Sequence, residues 1–262
     1  WLKQCVVAQT FKNFKSGRGP TLTGWRMRLE HRLLLSQRKR RGGFVISISL
    51  ALLVSLFVLP TWPLASVEEP ATGTEFPELM PKAFDQALQG KSATGKPKQI
   101  RALTATGVRK KYGAVKVYAM GLYVDATASY WGSSKVKDLL AKGAGKASLR
   151  IVITSSMVTQ RKLSVALREA LTPRLPSNEE AKTALDAFEQ AFADGPKLKV
   201  GSVILLDLAE REVKIGVAGS DCGTVRHPLL STALLATYLD SKAVVPAFRD
   251  AVTSALSEKP RL

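Results

Sequence analysis

The chain has 262 residues, 39 of them Lys or Arg against 21 Asp or Glu, with only two Cys and two His. At 45% hydrophobic residues it holds enough apolar material for one good-sized core or two small ones, which excludes a collagen-like chain and disorder throughout. Two distant cysteines exclude a disulfide-rich scaffold, and without a Cys or Cys/His cluster at ligand spacing the sequence offers no zinc site and calls for no cofactor.

The net charge of +18 is unevenly placed. Residues 1–43 carry +10 and the rest of the chain +8. That basic block precedes an apolar run, FVISISLALLVSLFVL at 44–59, and no charged residue occurs from Gly42 through Val67. A spanning helix needs about 20 apolar residues, so the strictly apolar part is short for one. A basic flank, an apolar middle and Pro-Leu-Ala-Ser at 63–66 together have the form of a signal segment. Upstream, residues 1–37 are rich in Arg, Lys, Ser and Thr and almost free of acids, the composition of an organelle transit peptide. The expectation is a targeting leader over 1–43 and a signal or anchor over 44–65, directing the chain to a plastid, in stroma or thylakoid lumen. A secretory route, or membrane association through an uncut 44–59, is the alternative. With the densest basic block in a leader and no recognisable module, no nucleic-acid partner is expected. Removal of the leader would leave Cys222 as the single cysteine.

Residues 66–97, with Pro70, Gly73, Pro77, Pro81, Gly90, Gly95 and Pro97, read as a linker containing at most a short helix at 81–88, and the domain is set at 98–262. Strands are expected at 100–111 and 114–126, joined as a hairpin at Lys111-Tyr112-Gly113. A brief helix at 134–141 and a third strand at 147–155 follow. Leu163, Ala166, Leu167, Ala170 and Leu171 give residues 159–171 the face of a helix, which Pro173 stops. Ser177 with Glu180 is a capping-box signature for a helix with Ala181, Leu185, Phe188 and Phe192 on one face, ending at Gly195-Pro196. A second hairpin, 200–208 with 212–217, precedes two helices at 227–239 and 245–256. Hairpins adjacent in sequence and helices gathered between them indicate an α+β fold, an antiparallel sheet covered by a layer of helices.

The usual catalytic motifs are not met. GAGK at 143–146 lacks both the first glycine of a phosphate loop and the hydroxyl residue after Lys, and no G-x-S-x-G elbow occurs. His227 directly before Pro228 fits a capping or surface role, and Cys222 lies in a turn-rich stretch, 219–224, as an ordinary small residue. No catalytic residue and no metal ligand is assigned. A different pair stands out. Arg109 ends the first long strand, in GVRKK, and Tyr118 begins the second, in VKVYAMGLYVD. If register places them on one face, a guanidinium fork and a phenol meet in one volume, the donors a carboxylate would take.

These blocks, with SLRIVIT, GSVILLDL and HPLLSTALLATYLDSKAVVPAFRDAV, resemble the chalcone isomerase family in order across residues 98–262. The resemblance implies that family's open-faced β-sandwich, with a ligand cleft between sheet and helices. Its isomerases close a chalcone to a flavanone, using a strand Arg, a Thr on the second strand and a Tyr and Asn on the following helix. Here Arg109 matches the Arg, Tyr118 stands at the Thr position, Lys162 and Glu169 fall where the Tyr and Asn would lie, and Thr237 matches a polar group on the last helices. The pattern is similar to the family's non-catalytic fatty-acid-binding branch. The implied function is binding of a fatty acid or similar long-chain carboxylate by Arg109, Tyr118 and Thr237, its chain along Met120, Leu122, Val152, Leu163 and Leu167. An intramolecular lyase with altered catalytic residues is the alternative.

Overall fold

The structure, a computed structural model, describes residues 65–89, 100–129, 131–132, 136–142 and 147–260. The leader at 1–43 and all but the last residue of the signal or anchor segment at 44–65 lie outside these residues, as do GAGK and the far part of the segment read as a linker. Residues 63–262 form a compact unit of their own.

Nine strands and six helices are described. A small hairpin, β1 (Ser66–Glu69) with β2 (Thr74–Pro77), is followed by the short strand β3 (Leu79–Pro81) and helix α1 (Phe84–Leu88). Then come β4 (Ile100–Lys111), β5 (Val115–Asp125), α2 (Val136–Lys142), β6 (Ala147–Ile153), α3 (Gln160–Leu171) and α4 (Glu179–Ala193). The chain continues through β7 (Val203–Leu208), β8 (Glu212–Val217), β9 (Ser220–Arg226), α5 (Leu230–Leu239) and α6 (Pro246–Ala255). Strands β3 to β9 make one antiparallel sheet in simple sequence order. This is the α+β architecture the sequence indicates, with both hairpins in place.

Side chains alternate across the sheet, and each face has its own cover. One face presents Met120, Leu122, Ile151, Ile153, Ile204 and Ile215 to the main core, which Leu163, Leu167, Phe188, Leu234 and Phe248 complete from the helices. The other face carries Ala119, Tyr123, Val152 and Leu205 beneath Phe76, Met80, Phe84 and Ala87. Val152 therefore points away from the helices, because β6 sends Ile151 and Ile153 inward and the residue between them outward. Its expected place along the ligand chain is corrected.

Cover on both faces explains why β5 is buried at every position from Tyr118 to Asp125 instead of alternating. It also revises the linker reading of 66–97, whose first part, 66–89, is built into the domain. Phe76 is fully buried, and a Cβ on Gly121 would stand 2.7 Å from its ring, so the glycine lets the aromatic ring pack closely against β5. The prolines and glycine that suggest a linker instead bound three strands too short to show a pattern. Beneath this segment Arg101 donates to Asp207 and Ser148, and Ser148 Oγ donates to the same carboxylate at 2.9 Å. Lys82 pairs with Asp125 at 2.5 Å, tying the N-terminal segment to the end of β5.

Local signals differ in two further places. Asn178, not Ser177, caps α4, its Oδ1 accepting from the Ala181 N–H at 2.9 Å. Residues 219–224, read as turn, belong largely to β9, where Ser220, Asp221 and Gly223 sit exposed on an edge and backbone pairing to β8 holds a strand that side chains do not favour.

Candidate functional site

The hairpin register decides the site. Arg109 and Tyr118 are direct partners across β4 and β5, and Gly107 faces Met120 in the same ladder. Directly opposed residues share a face, so Arg109, Gly107, Tyr118, Met120 and, one step on, Leu122 all look toward the helices. Helix α6 lies directly on β4 here. A Cβ on Gly107 would stand 2.8 Å from Phe248 Cδ2, so this glycine is the seat of the aromatic ring. Phe248 meets Tyr238 edge to face, ring centroids 6.3 Å apart at 86°. The Tyr238 hydroxyl is 3.1 Å from that of Tyr118, and both rings are buried. Arg109 Nη1 donates to the Val244 carbonyl in the connector between α5 and α6.

That connector is firmly held. Arg174 grips Asp240 with two parallel bonds, Nε to Oδ2 at 2.8 Å and Nη2 to Oδ1 at 3.0 Å, and Nη2 also donates to the Lys242 carbonyl at 3.0 Å. The Val244 N–H closes on the Thr237 carbonyl at 2.9 Å.

Burial raises the pKa of both phenols, and the Arg109 charge pulls each part of the way back. The two hydroxyls share one hydrogen bond in which either can donate. When Tyr238 donates that bond, the Tyr118 hydroxyl keeps its own proton for another acceptor. Arg109 has one main-chain acceptor, and among the described residues no carboxylate pairs with it. The arrangement is a half-buried positive fork beside a phenolic donor, at the edge of an apolar interior.

Thr237 is buried, but its Oγ1 donates to the Ala233 carbonyl at 2.9 Å, within its own helix. The polar group that reaches Tyr118 is its neighbour, Tyr238. Sequence reasoning missed Tyr238, Phe248 and the Val244 carbonyl. All three lie in the terminal block that carries the family resemblance, yet α5 is apolar on every side, so its sequence has no phase to say which residue faces the sheet. Met120, Leu122, Leu163 and Leu167 do share the helix-side core.

The other candidates are elsewhere. Lys162 and Glu169 are exposed on α3, whose inward face is Leu163, Leu167 and Leu171. His227 is buried, and its Nδ1 accepts from the Leu229 N–H at 3.2 Å, a local turn bond just before α5, whose first turn has no side-chain cap. Burial pushes the Cys222 thiol up, the opposite of an activated nucleophile. Among the described residues no cluster of three His, Cys, Asp or Glu could hold a metal, and no helix is long and apolar enough to cross a membrane. A groove of about 550 Å³ between α3 and α4 shares no residue with the Arg109 cluster, and its Arg168 is already paired with Asp186 and Glu189.

A family model described as chalcone isomerase-like matches residues 91–252, and the chain belongs to that family. Among solved structures it is similar to the Arabidopsis thaliana fatty-acid binding protein AtFAP1, at 23% identity and a TM-score of 0.57, over 74% of this chain and 98% of that one. The likeness shows the fold, a curled antiparallel sheet with helices packed on it. Comparison with curated proteins gives no match.

Proposed function

We propose that this domain binds a fatty acid or similar long-chain carboxylate between sheet and helices, with Arg109 and Tyr118 as the headgroup clamp and no chemical step. The observation that carries the reading is the register pair itself: a guanidinium without a carboxylate partner among the described residues, opposite a buried phenol. The ligand carboxylate takes the remaining guanidinium donors in place of, or beside, the Val244 carbonyl, and accepts from Tyr118. Tyr238 stands behind Tyr118 and orients it. The acyl chain enters the layer where Met120, Leu122, Leu163 and Leu167 are packed, parting their side chains. Each buried CH₂ contributes about 0.8 kcal/mol, so the chain supplies most of the affinity and the clamp sets orientation. The fatty-acid binding named for AtFAP1, which shares this fold, supports the reading. Exposed Lys162 and Glu169, where the isomerases carry catalytic Tyr and Asn, support binding without catalysis.

The test is native mass spectrometry with organic extraction of residues 63–262 purified from a heterologous host, beside Arg109→Ala. Fatty acid should co-purify with the parent protein, and the variant should bind it about 10- to 100-fold more weakly, the range of a charged hydrogen bond. Equal affinity in the variant removes the clamp. A protein that takes up no fatty acid but consumes a chalcone, followed by loss of its absorbance, would overturn the reading in favour of a lyase.

A further inference from the structure

One end of the sheet is built differently from the rest of the surface. The β4–β5 hairpin, the turn after β6 and the turn before β7 lie side by side there. Thr154 donates from its N–H to the Val117 carbonyl at 3.2 Å and from its hydroxyl to the Lys116 carbonyl at 3.0 Å. The Gly201 N–H in turn reaches the Ile153 carbonyl at 2.8 Å. The three turns therefore form one continuous edge, spanning β4 to β7.

On it stand the three most exposed large apolar side chains among the described residues, Tyr112, Val200 and Met157, at 83%, 59% and 57% exposure. Tyr112 is held out at the hairpin tip with φ at 53°, and the Lys111 ammonium sits 5.2 Å from its ring centre. Around them are six exposed lysines, Lys110, Lys111, Lys116, Lys162, Lys197 and Lys199, of which Lys116 is turned to the Ala71 carbonyl in the β1–β2 turn and Lys162 to the Met157 carbonyl. Residues 109–117, 154–162 and 196–202 contain no acid, although exposed Asp194 precedes the third stretch, Glu69 lies at the β1–β2 turn that Lys116 reaches, and the next turn along the same end brings Asp221.

We propose that this end of the sheet docks on the surface of an anionic lipid bilayer, with Tyr112, Met157 and Val200 entering the interface and the lysines meeting headgroup phosphates. Apolar side chains set among cations that outnumber the nearby acids are what such a surface selects. A basic patch alone would suit nucleic acid equally, but Met157 and Val200 offer a base no ring to stack on and a phosphate no donor, whereas both gain from the acyl boundary. The phenol of Tyr112 suits the headgroup level. The patch is independent of the clamp's ligand, although Arg109 and Tyr118 are the strand residues next inward from it.

The experiment measures co-sedimentation of residues 63–262 with vesicles of phosphatidylcholine, with and without phosphatidylglycerol. This stretch is a compact unit, and AtFAP1, matched over 98% of its length, is a chain of the same fold with comparable extent. Its use also removes any contribution from the apolar run at 44–59. Binding should require phosphatidylglycerol and weaken with salt. Lys110→Gln with Lys111→Gln should lower partitioning about 25-fold, at about fivefold per lysine. Tyr112→Ala with Met157→Ser should lower it on the same vesicles, while Lys182→Gln, on α4 outside the patch, should leave it unchanged. All the substituted residues are exposed, so circular dichroism and melting curves should match the parent. Absence of binding to anionic vesicles, equal binding by the patch variants, or preference for a single-stranded oligonucleotide over vesicles would overturn the proposal.

Discussion

The bond between Tyr118 and Tyr238 can be isolated with a double-mutant cycle, because the two hydroxyls are 3.1 Å apart and have little access to water. Tyr118→Phe leaves the Tyr238 hydroxyl buried without its partner, which costs about 1–3 kcal/mol. Tyr238→Phe strands the Tyr118 hydroxyl and should cost a similar amount. The double variant replaces both phenols by rings of the same shape and leaves no orphan, so it should recover most of the loss. The coupling, the sum of the two single losses less the small loss of the double variant, is then about 2–6 kcal/mol, read from urea unfolding of the four proteins. Fatty-acid titration adds a second axis. Tyr118→Phe removes the hydroxyl proposed to donate to the ligand and should weaken binding about 10-fold or more, the lower bound of a hydrogen bond to a charged group. Tyr238→Phe keeps that donor and should cost less. If the double variant falls by the sum of the singles, the two hydroxyls do not interact. If both single variants lose ligand equally, Tyr118 is not the donor.

Phe76→Ala should destabilise the domain by about 3–5 kcal/mol, since it empties the space over Gly121, and chemical denaturation would show it; a loss under 1 kcal/mol would mean the β1–β2 hairpin is not part of the core. Gly107→Val overfills the seat of Phe248 and should cost about 1–3 kcal/mol while lowering ligand affinity, because α6 and the Val244 carbonyl move with the ring. Asp125 and Asp240 are raised by burial but lowered further by Lys82 and Arg174, so both end below the ordinary carboxylate value. A lowered folded pKa gives stability that is complete above the unfolded value, about 3.9, and is lost as pH falls through the folded one. Unfolding followed against pH should therefore steepen below about pH 4, with a shallower acid limb in Asp240→Asn; an identical limb would show that the Arg174 pair contributes nothing.

Much of the sheet was legible because strands and their turns write local signals. β4 and β5 announce themselves through β-branched and aromatic residues around a Tyr-Gly turn, and α3 through its 3.6-residue face. The N-terminal segment was not. Its strands have three or four residues each, too few to display a period, and it is held by long-range contacts such as Phe76 on Gly121 that no local window contains. β9 is hidden for a related reason, since Val225 is its one fully buried side chain and the rest of its stability lies in the ladder to β8.

The site divides along the same line. Strand residues of a tight hairpin have their facing fixed by the turn, so the Arg109 and Tyr118 pairing follows once the turn is placed. Helix residues near a sheet have no such lock. Thr237 and Tyr238 differ by about 100° around α5, and because that helix is buried nearly all round, the choice between them belongs to its packing on α6, not to its own sequence. What orients α5 is distant in the chain, the grip of Arg174 on Asp240 at its end and the seat that Gly107 offers Phe248. The proposed clamp thus rests on two kinds of information, a local turn that sets Arg109 against Tyr118 and a tertiary contact that brings Tyr238 behind them. A substitution at Gly107 that spares every polar group should therefore impair the clamp through α6, while a polar-to-apolar change at Thr237 should leave it intact.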